Sequence, residues 1–213
     1  MRAEKPIHPP DPLPENLRFE HLIWKKGFRR IAGVDEAGCG PLAGPVVAAA
    51  VVFPPYFHLP DVKDSKKLTA RQREILYTDI LEHCVDYGVG VVSPREVDQL
   101  NIRQATFKAM RMAIGSLKFQ PDYILFDGYE LPERFYPQEA VMDGDEYSFT
   151  IAAASIIAKV SRDRLMIEYH REYPQYGFDR HKGYGTAFHR EMIRKYGPCA
   201  IHRVSFLKKI LPK

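Results

Sequence analysis

Three places in this chain put a carboxylate at the end of an apolar run: Asp35 and Glu36 in "IAGVDEAGCG", Asp127 in "YILFDG" and Asp145 in "VMDGDE". An ionised acid inside a core is very costly unless it is paired or bound to a cation. At the end of a central strand it reaches a cleft instead, where α/β sheets usually bind ligands. Acids gathered there repel one another, and a hard divalent cation relieves the repulsion because it prefers oxygen ligands. No Cys or His has the spacing to join them, so the set points to Mg²⁺ or Mn²⁺ rather than zinc. Neighbours on a strand point to opposite faces, so Asp35 and Glu36 share one metal site only if the strand twists or stops there. Gly38 offers a place to stop. Any one of these acids alone would read as a cap, a turn residue or a surface charge. A carboxylate pair would also suit glycoside hydrolysis, but a basic, aromatic-interleaved tail suits phosphates better than neutral sugars.

That tail is the second chemical feature. The net charge of +4 is unevenly spread: residues 180–213 hold nine Lys or Arg against one acid, Glu191, which leaves the rest of the chain at −4. Such asymmetry suits a polyanionic partner or a solvated face. The glycine-rich "EAGCGPLAG" lacks the GxxxxGK[ST] spacing of a phosphate-binding P-loop. Glycines there allow main-chain atoms to approach a ligand, and on their own they read first as a tight turn.

The elements that must position these groups follow from pattern. "RRIAGVDEA" and "PVVAAAVVF" read as strands joined by the loop 38–45, with further strands at "DYGVGVVS", "PDYILFDG" and, followed by a turn, "EAVMDGDEYS". Helical periodicity appears in "TARQREILYTDILEHC", with Thr69 as N-cap, and in "NIRQATFKAMRMAIGSL". It appears again in the long "FTIAAASIIAKVSRDRLMIEYHREY" and in "YGTAFHREMIRKYG". Early strands and late helices predict an α/β domain with a small helical C-terminal region. With 213 residues, 45% of them hydrophobic, one domain is expected. The expected division is a proline-rich flexible arm over 1–16, a catalytic domain over 17–175 and a basic helical region over 176–213 packed on the same domain. No apolar run reaches the roughly 20 residues that cross a membrane, and no signal-peptide core is seen at the start. Three cysteines without a pairing framework suit a reducing, cytoplasmic setting.

Together "AGVDEAGCGPLAGPVVAAAV", "DSKKLT", "LNIRQATFKAM", "YILFDG", "IAAASIIAKVSRDRLM", "YPQYGFDRHKGYGTAFH" and "IHRVSF" resemble bacterial ribonuclease HII, in the family's order and over residues 30 to 207. The resemblance implies an RNase H-like fold, a five-stranded mixed sheet flanked by helices. It implies endonucleolytic cleavage of RNA in RNA–DNA hybrids. It further implies incision on the 5′ side of single ribonucleotides in duplex DNA, leaving a 3′-hydroxyl and a 5′-phosphate. Asp35, Glu36, Asp127 and Asp145 match the four metal-binding acids, which would hold two ions with substrate bound; Asp163 in "VSRDRL" competes for the fourth place and reads instead as an ion-pair partner. His181, His189 and His202 are not needed as general bases. The ribonucleotide-reading loop corresponds to Gly38-Cys39-Gly40 and the sugar-stacking tyrosine to Tyr184. Ser65, Lys66 and Lys67 correspond to a phosphate-contacting stretch, and Lys182 adds phosphate attraction.

Two departures stand out. Cys39 occupies a position where the family has arginine, and a thiol cannot form a bidentate phosphate contact. Asp143 stands where a lysine is expected, two places before the fourth acid. These raise the alternative of a catalytically weakened hybrid-binding protein. A ribonuclease HIII-like enzyme is disfavoured because only about 30 residues precede the acid pair, many of them prolines, and a DNA-only exonuclease is the remaining rival. A monomer is expected, with a replication or repair partner left unidentified.

Overall fold

A computed structural model describes residues 9–211. The first half of the proline arm therefore lies outside the described residues. Within the rest, Leu13 packs against the core and Glu15–Leu17 forms a 3₁₀ turn. The helices are α1 (Arg18–Lys25), α2 (Ala70–His83), α3 (Pro94–Leu100), α4 (Ile102–Gly115), α5 (Gly144–Tyr147), α6 (Phe149–Glu172), α7 (Phe178–His181) and α8 (Ala187–Tyr196). The strands are β1 (Ile31–Ala37), β2 (Val46–Val52), β3 (Asp86–Val92), β4 (Tyr123–Asp127) and β5 (Gln138–Val141), in one sheet of order β3-β2-β1-β4-β5. β1, β2 and β3 run antiparallel as a meander, while β4 and β5 run parallel to β1. The five strands are those the sequence pattern predicts, and their mixed pairing is the one the family resemblance implies.

The alternation of strand residues explains the two layers. Ile31, Leu125, Ala49 and Val51 face α6, whereas Ala32, Val34, Ile124 and Phe126 face α4. α6 is apolar around its first turns and lies against the middle of the sheet. Gly33 permits this approach, because a Cβ there would collide with the backbone of Thr150. Beyond these layers, Ala43, Met166, Tyr176, Phe178, Ile193, Ile201 and Leu207 form a smaller core under the C-terminal helices.

Three helices, α1, α3 and the short α7, lie where the sequence pattern assigns no element. α1 buries Glu20, Ile23 and Trp24, and Leu17 from the 3₁₀ turn before it continues that helical spacing. Glu20 accepts hydrogen bonds from Ser148 Oγ at 2.6 Å and from Thr150 N and Oγ1 at 2.9 Å, so its carboxylate sits against the N-terminus of α6. α3 begins with Ser93, Pro94 and Glu96 as a capping box with proline in the first turn. The predicted turn after β5 contains the single helical turn α5.

Candidate active site

β1 and β4 are parallel neighbours, with Val34 opposite Phe126. Continuing that register by one residue leaves Asp35 beside Asp127, both on the α6 side of the sheet. β5 ends opposite Asp127, and the chain turns at Asp143, in the left-handed region at φ 51°, into α5. Asp127 accepts a hydrogen bond from Gly144 N at 2.7 Å, which fixes α5 against the strand end and brings Asp145 in. Asp35, Asp127 and Asp145 each offer a carboxylate oxygen within 4.8 Å of the others. Asp35 and Asp145 are buried and Asp127 is half-buried.

Burial raises the pKa of all three acids, and of Asp35 most clearly, with the neighbouring charges of Glu36 and Asp127 adding to it. Lys66 Nζ, 3.0 Å from Asp145 Oδ2, supplies the one nearby ion pair but does not cancel the effect of burial on Asp145. Two buried acids and a half-buried one, with Lys66 the only ion-pair partner of the three among the described residues and an all-oxygen donor set, form a fitting place for a hard divalent cation. Asp163 is not part of this group: it pairs with Lys159 at 2.7 Å, one turn away on α6.

Glu36 departs from the expected convergence. It points to the α4 side, as strand alternation dictates, and its carboxylate lies outside the three-acid set. It still lines the same cleft, of about 230 Å³, together with Asp35, Asp127, Ser65, Lys66 and Tyr184. Its Oε1 accepts from Cys39 Sγ at 3.4 Å, and that thiol also meets Thr106 Oγ1 at 3.3 Å. Burial pushes the Cys39 thiol up to about 12, so it is neutral and turned toward α4.

The loop 38–45 owes its shape to two fully buried arginines that sequence reading did not single out. Arg203 donates to the carbonyls of Gly38 (2.7 Å), Cys39 (3.2 Å), Pro41 (3.0 Å) and Gly44 (3.0 and 2.8 Å). Arg162 donates to Ala43 O at 3.1 Å and Pro45 O at 3.0 Å. Burial lowers the Arg203 pKa to about 10, which leaves it cationic at neutral pH. In a trans peptide the C=O and the following N–H point in opposite directions. Carbonyls 38 and 39 turn inward to Arg203, so the N–H groups of Cys39 and Gly40 turn outward. Neither donates to a protein acceptor among the described residues. At Gly38, φ is 99°, and a Cβ would strike the Arg162 side chain.

Tyr184 stands across the cleft from Gly40, with 46% of its surface exposed. Histidines hold its loop from below. His189 Nδ1 lies 2.9 Å from Tyr184 O, which can only accept, so that nitrogen carries the proton. His202 Nε2 then donates to His189 Nε2 at 3.0 Å, and His202 Nδ1 accepts from Cys199 N at 2.9 Å. His181 accepts from Gly183 N and stacks on His189. All three are structural here. Ser65 is buried at the cleft floor, with its N–H donating to Ser155 Oγ. Lys67 pairs with Glu146 outside the cleft. Lys182 lies in an adjoining groove rather than at the acids, with Arg180, Lys159 and Tyr184 as neighbours.

An acid cluster at the ends of β1 and β4 in this mixed sheet defines a metal-dependent nuclease of the ribonuclease H type. The ribonuclease HII family model matches residues 32–209, and the chain belongs to that family. It is 58% identical to the ribonuclease HII of Syntrophobacter fumaroxidans over 89% of this chain and 82% of that one. It is 52% identical to that of Caldicellulosiruptor bescii over 92% and 95% of the two chains. Among solved structures, the ribonuclease H2 of Pyrococcus horikoshii matches with a TM-score of 0.72 at 31% identity, over 85% of this chain and 96% of that one. The ribonuclease HII of Archaeoglobus fulgidus, solved in complex with PCNA, matches with a TM-score of 0.68 at 27% identity, over 86% and 97%.

Proposed function

We propose that this enzyme is an endoribonuclease that cuts RNA in RNA–DNA hybrids and incises 5′ of single ribonucleotides embedded in duplex DNA. The observation that carries the reading is the convergence of Asp35, Asp127 and Asp145 within 4.8 Å, beside a loop whose Cys39 and Gly40 N–H groups are free. Asp35, Glu36, Asp127 and Asp145 would hold Mg²⁺ or Mn²⁺, two ions with substrate bound. Ions held there would supply an activated water and charge stabilisation for the leaving oxygen, consistent with 3′-hydroxyl and 5′-phosphate ends. Glu36, set on the other side of β1, would contribute its carboxylate from the flank of the three-acid set.

The loop N–H groups donate to the 2′-hydroxyl that distinguishes RNA from DNA. The two buried arginines hold those donors in place, and Tyr184 stacks on the adjoining sugar. Lys66 keeps Asp145 oriented and, with Ser65 and Lys182, draws the phosphates in. Residues 17–175 carry the acids, and 176–213 complete the site by presenting Tyr184 and Arg203. Like the Archaeoglobus protein, solved in complex with PCNA, the enzyme would engage a replication partner.

The test is a cleavage map on duplex DNA containing one ribonucleotide, with an all-DNA duplex alongside, in Mg²⁺ and in Mn²⁺. A single cut 5′ of the ribonucleotide is expected, with the all-DNA duplex intact. Equal cutting of both duplexes, or binding without cutting in either metal, overturns the reading; the second result would favour a weakened hybrid-binding protein.

A further inference from the structure

On the α4 side of the β1 end lies a second cavity, of about 300 Å³, lined by Glu36, Cys39, Arg103, Thr106, Phe107 and Tyr129 among others. It shares Glu36 and Cys39 with the acid cleft, so the two adjoin. Its walls are largely apolar. Arg103 is exposed, has no carboxylate partner among the described residues, and lies 5.5 Å from the ring centres of both Phe107 and Tyr129. Tyr129 is 65% exposed although it sits only two residues beyond Asp127, to whose carbonyl its N–H donates at 2.7 Å. The two aromatic rings hold this guanidinium beside the acid cleft, and among the described residues its side chain makes no hydrogen bond or ion pair, so its donors face outward for an anion.

We infer that this cavity is a binding slot for one deoxyribose-phosphate unit of the substrate duplex, a few ångströms of chain away from the cut. Arg103 takes the phosphate, which suits its planar fork of donors. Tyr129 and Phe107 pack against the sugar. The slot selects deoxyribose because a 2′-hydroxyl would enter an apolar wall, where the polar Thr106 is already engaged with Cys39. It also places a cation beside the loop position where the thiol of Cys39 supplies none. The inference rests on the proposed nuclease function and deepens it.

The experiment compares wild type, Arg103→Ala, Arg103→Lys and Tyr129→Ala on the single-ribonucleotide duplex. Cutting by wild type tests the nuclease reading; the variants test the slot. Arg103→Ala should raise KM roughly tenfold or more, the loss of a charged hydrogen bond, with the loss carried by KM more than by kcat. Its log KM against log salt should flatten by about 0.9, one phosphate contact. Arg103→Lys should restore the salt slope but only part of the affinity. Single methylphosphonates placed along both strands should reveal one position that weakens wild type but adds nothing to Arg103→Ala. A 2′-hydroxyl at that nucleotide should weaken wild type and be tolerated by Tyr129→Ala. If wild type cuts, but Arg103→Ala keeps its KM and salt slope, or no phosphate couples to it, the slot is refuted. If the coupled nucleotide accepts a 2′-hydroxyl equally in wild type and Tyr129→Ala, its selectivity for deoxyribose is refuted.

Discussion

Two clusters of titratable groups among the described residues resolve the cost of burial in opposite ways. In the histidine cluster every donor meets an acceptor: Cys199 N–H to His202, His202 to His189, His189 to Tyr184 O. Burial lowers both His189 and His202 to about 4, and the neutral pair needs nothing further. In the acid cluster, burial raises Asp35, Asp127 and Asp145, and the nearby Lys66 leaves the group short of positive charge. A closed network is structure; an acidic group left incomplete at a cleft is an invitation to a cation. Titratable residues gathered in space therefore say little about function until their hydrogen bonds are accounted for.

The sharpest way to break this contrast is Asp127→Asn. It should reduce cleavage of a single-ribonucleotide duplex by more than about 100-fold, the upper range for groups that only support metal ligands, while duplex binding by fluorescence anisotropy is largely retained. Full activity would remove the acid cluster from the chemistry. The histidine side is tested by acid. The His189 and His202 pKa values are depressed in the fold, so their contribution to stability is complete above about 6.5 and is lost as pH falls toward 4. Denaturant titrations should show a loss on the order of 3 kcal/mol per histidine across that window. A double His189→Gln, His202→Gln variant should flatten the profile, and an unchanged slope would count against the relay.

A smaller effect should come from the cation itself. Mn²⁺ or Mg²⁺ at 100 times its dissociation constant should stabilise the protein by about 2.7 kcal/mol, read as a rise in Tm. The rise should shrink in Asp35→Asn and persist in the histidine variant; equal shifts in all three would place the ion elsewhere. The smallest change concerns Cys39. Because its thiol faces Glu36 and Thr106, Cys39→Arg must redirect the side chain outward, and a new phosphate contact should then tighten substrate binding by about 1.5–3 kcal/mol at most. No change in KM would show that Arg103 already meets that need.

Much of this was legible from residues. Strand-like runs ending near Asp35 and Asp127 identified the sheet and its chemically active edge, whereas Asp145, read as a strand end, stands on α5 beyond the end of β5; Thr69 is the N-cap that the pattern predicts, with Gln72 completing a capping box. The capping box at Ser93 and the apolar spacing of Leu17, Ile23 and Trp24 were equally readable, but short helices between stronger signals read as loops. Arg162 and Arg203 were hidden for a different reason. Each belongs to a charged-looking stretch, and only the packing of α6 and the C-terminal segment against loop 38–45 shows that both are buried cations turned to carbonyls.

By itself the sequence determined the local elements, the family and the types of group at the site, because periodicity and strand-end chemistry are written within a few neighbouring residues. The tertiary structure alone decided which groups meet. Parallel pairing of β1 with β4 set Asp35 beside Asp127, and strand alternation sent Glu36 to the opposite side with Cys39 and Thr106. Adjacent positions in a strand are the ones geometry separates most, while residues 92 apart can share a single ion.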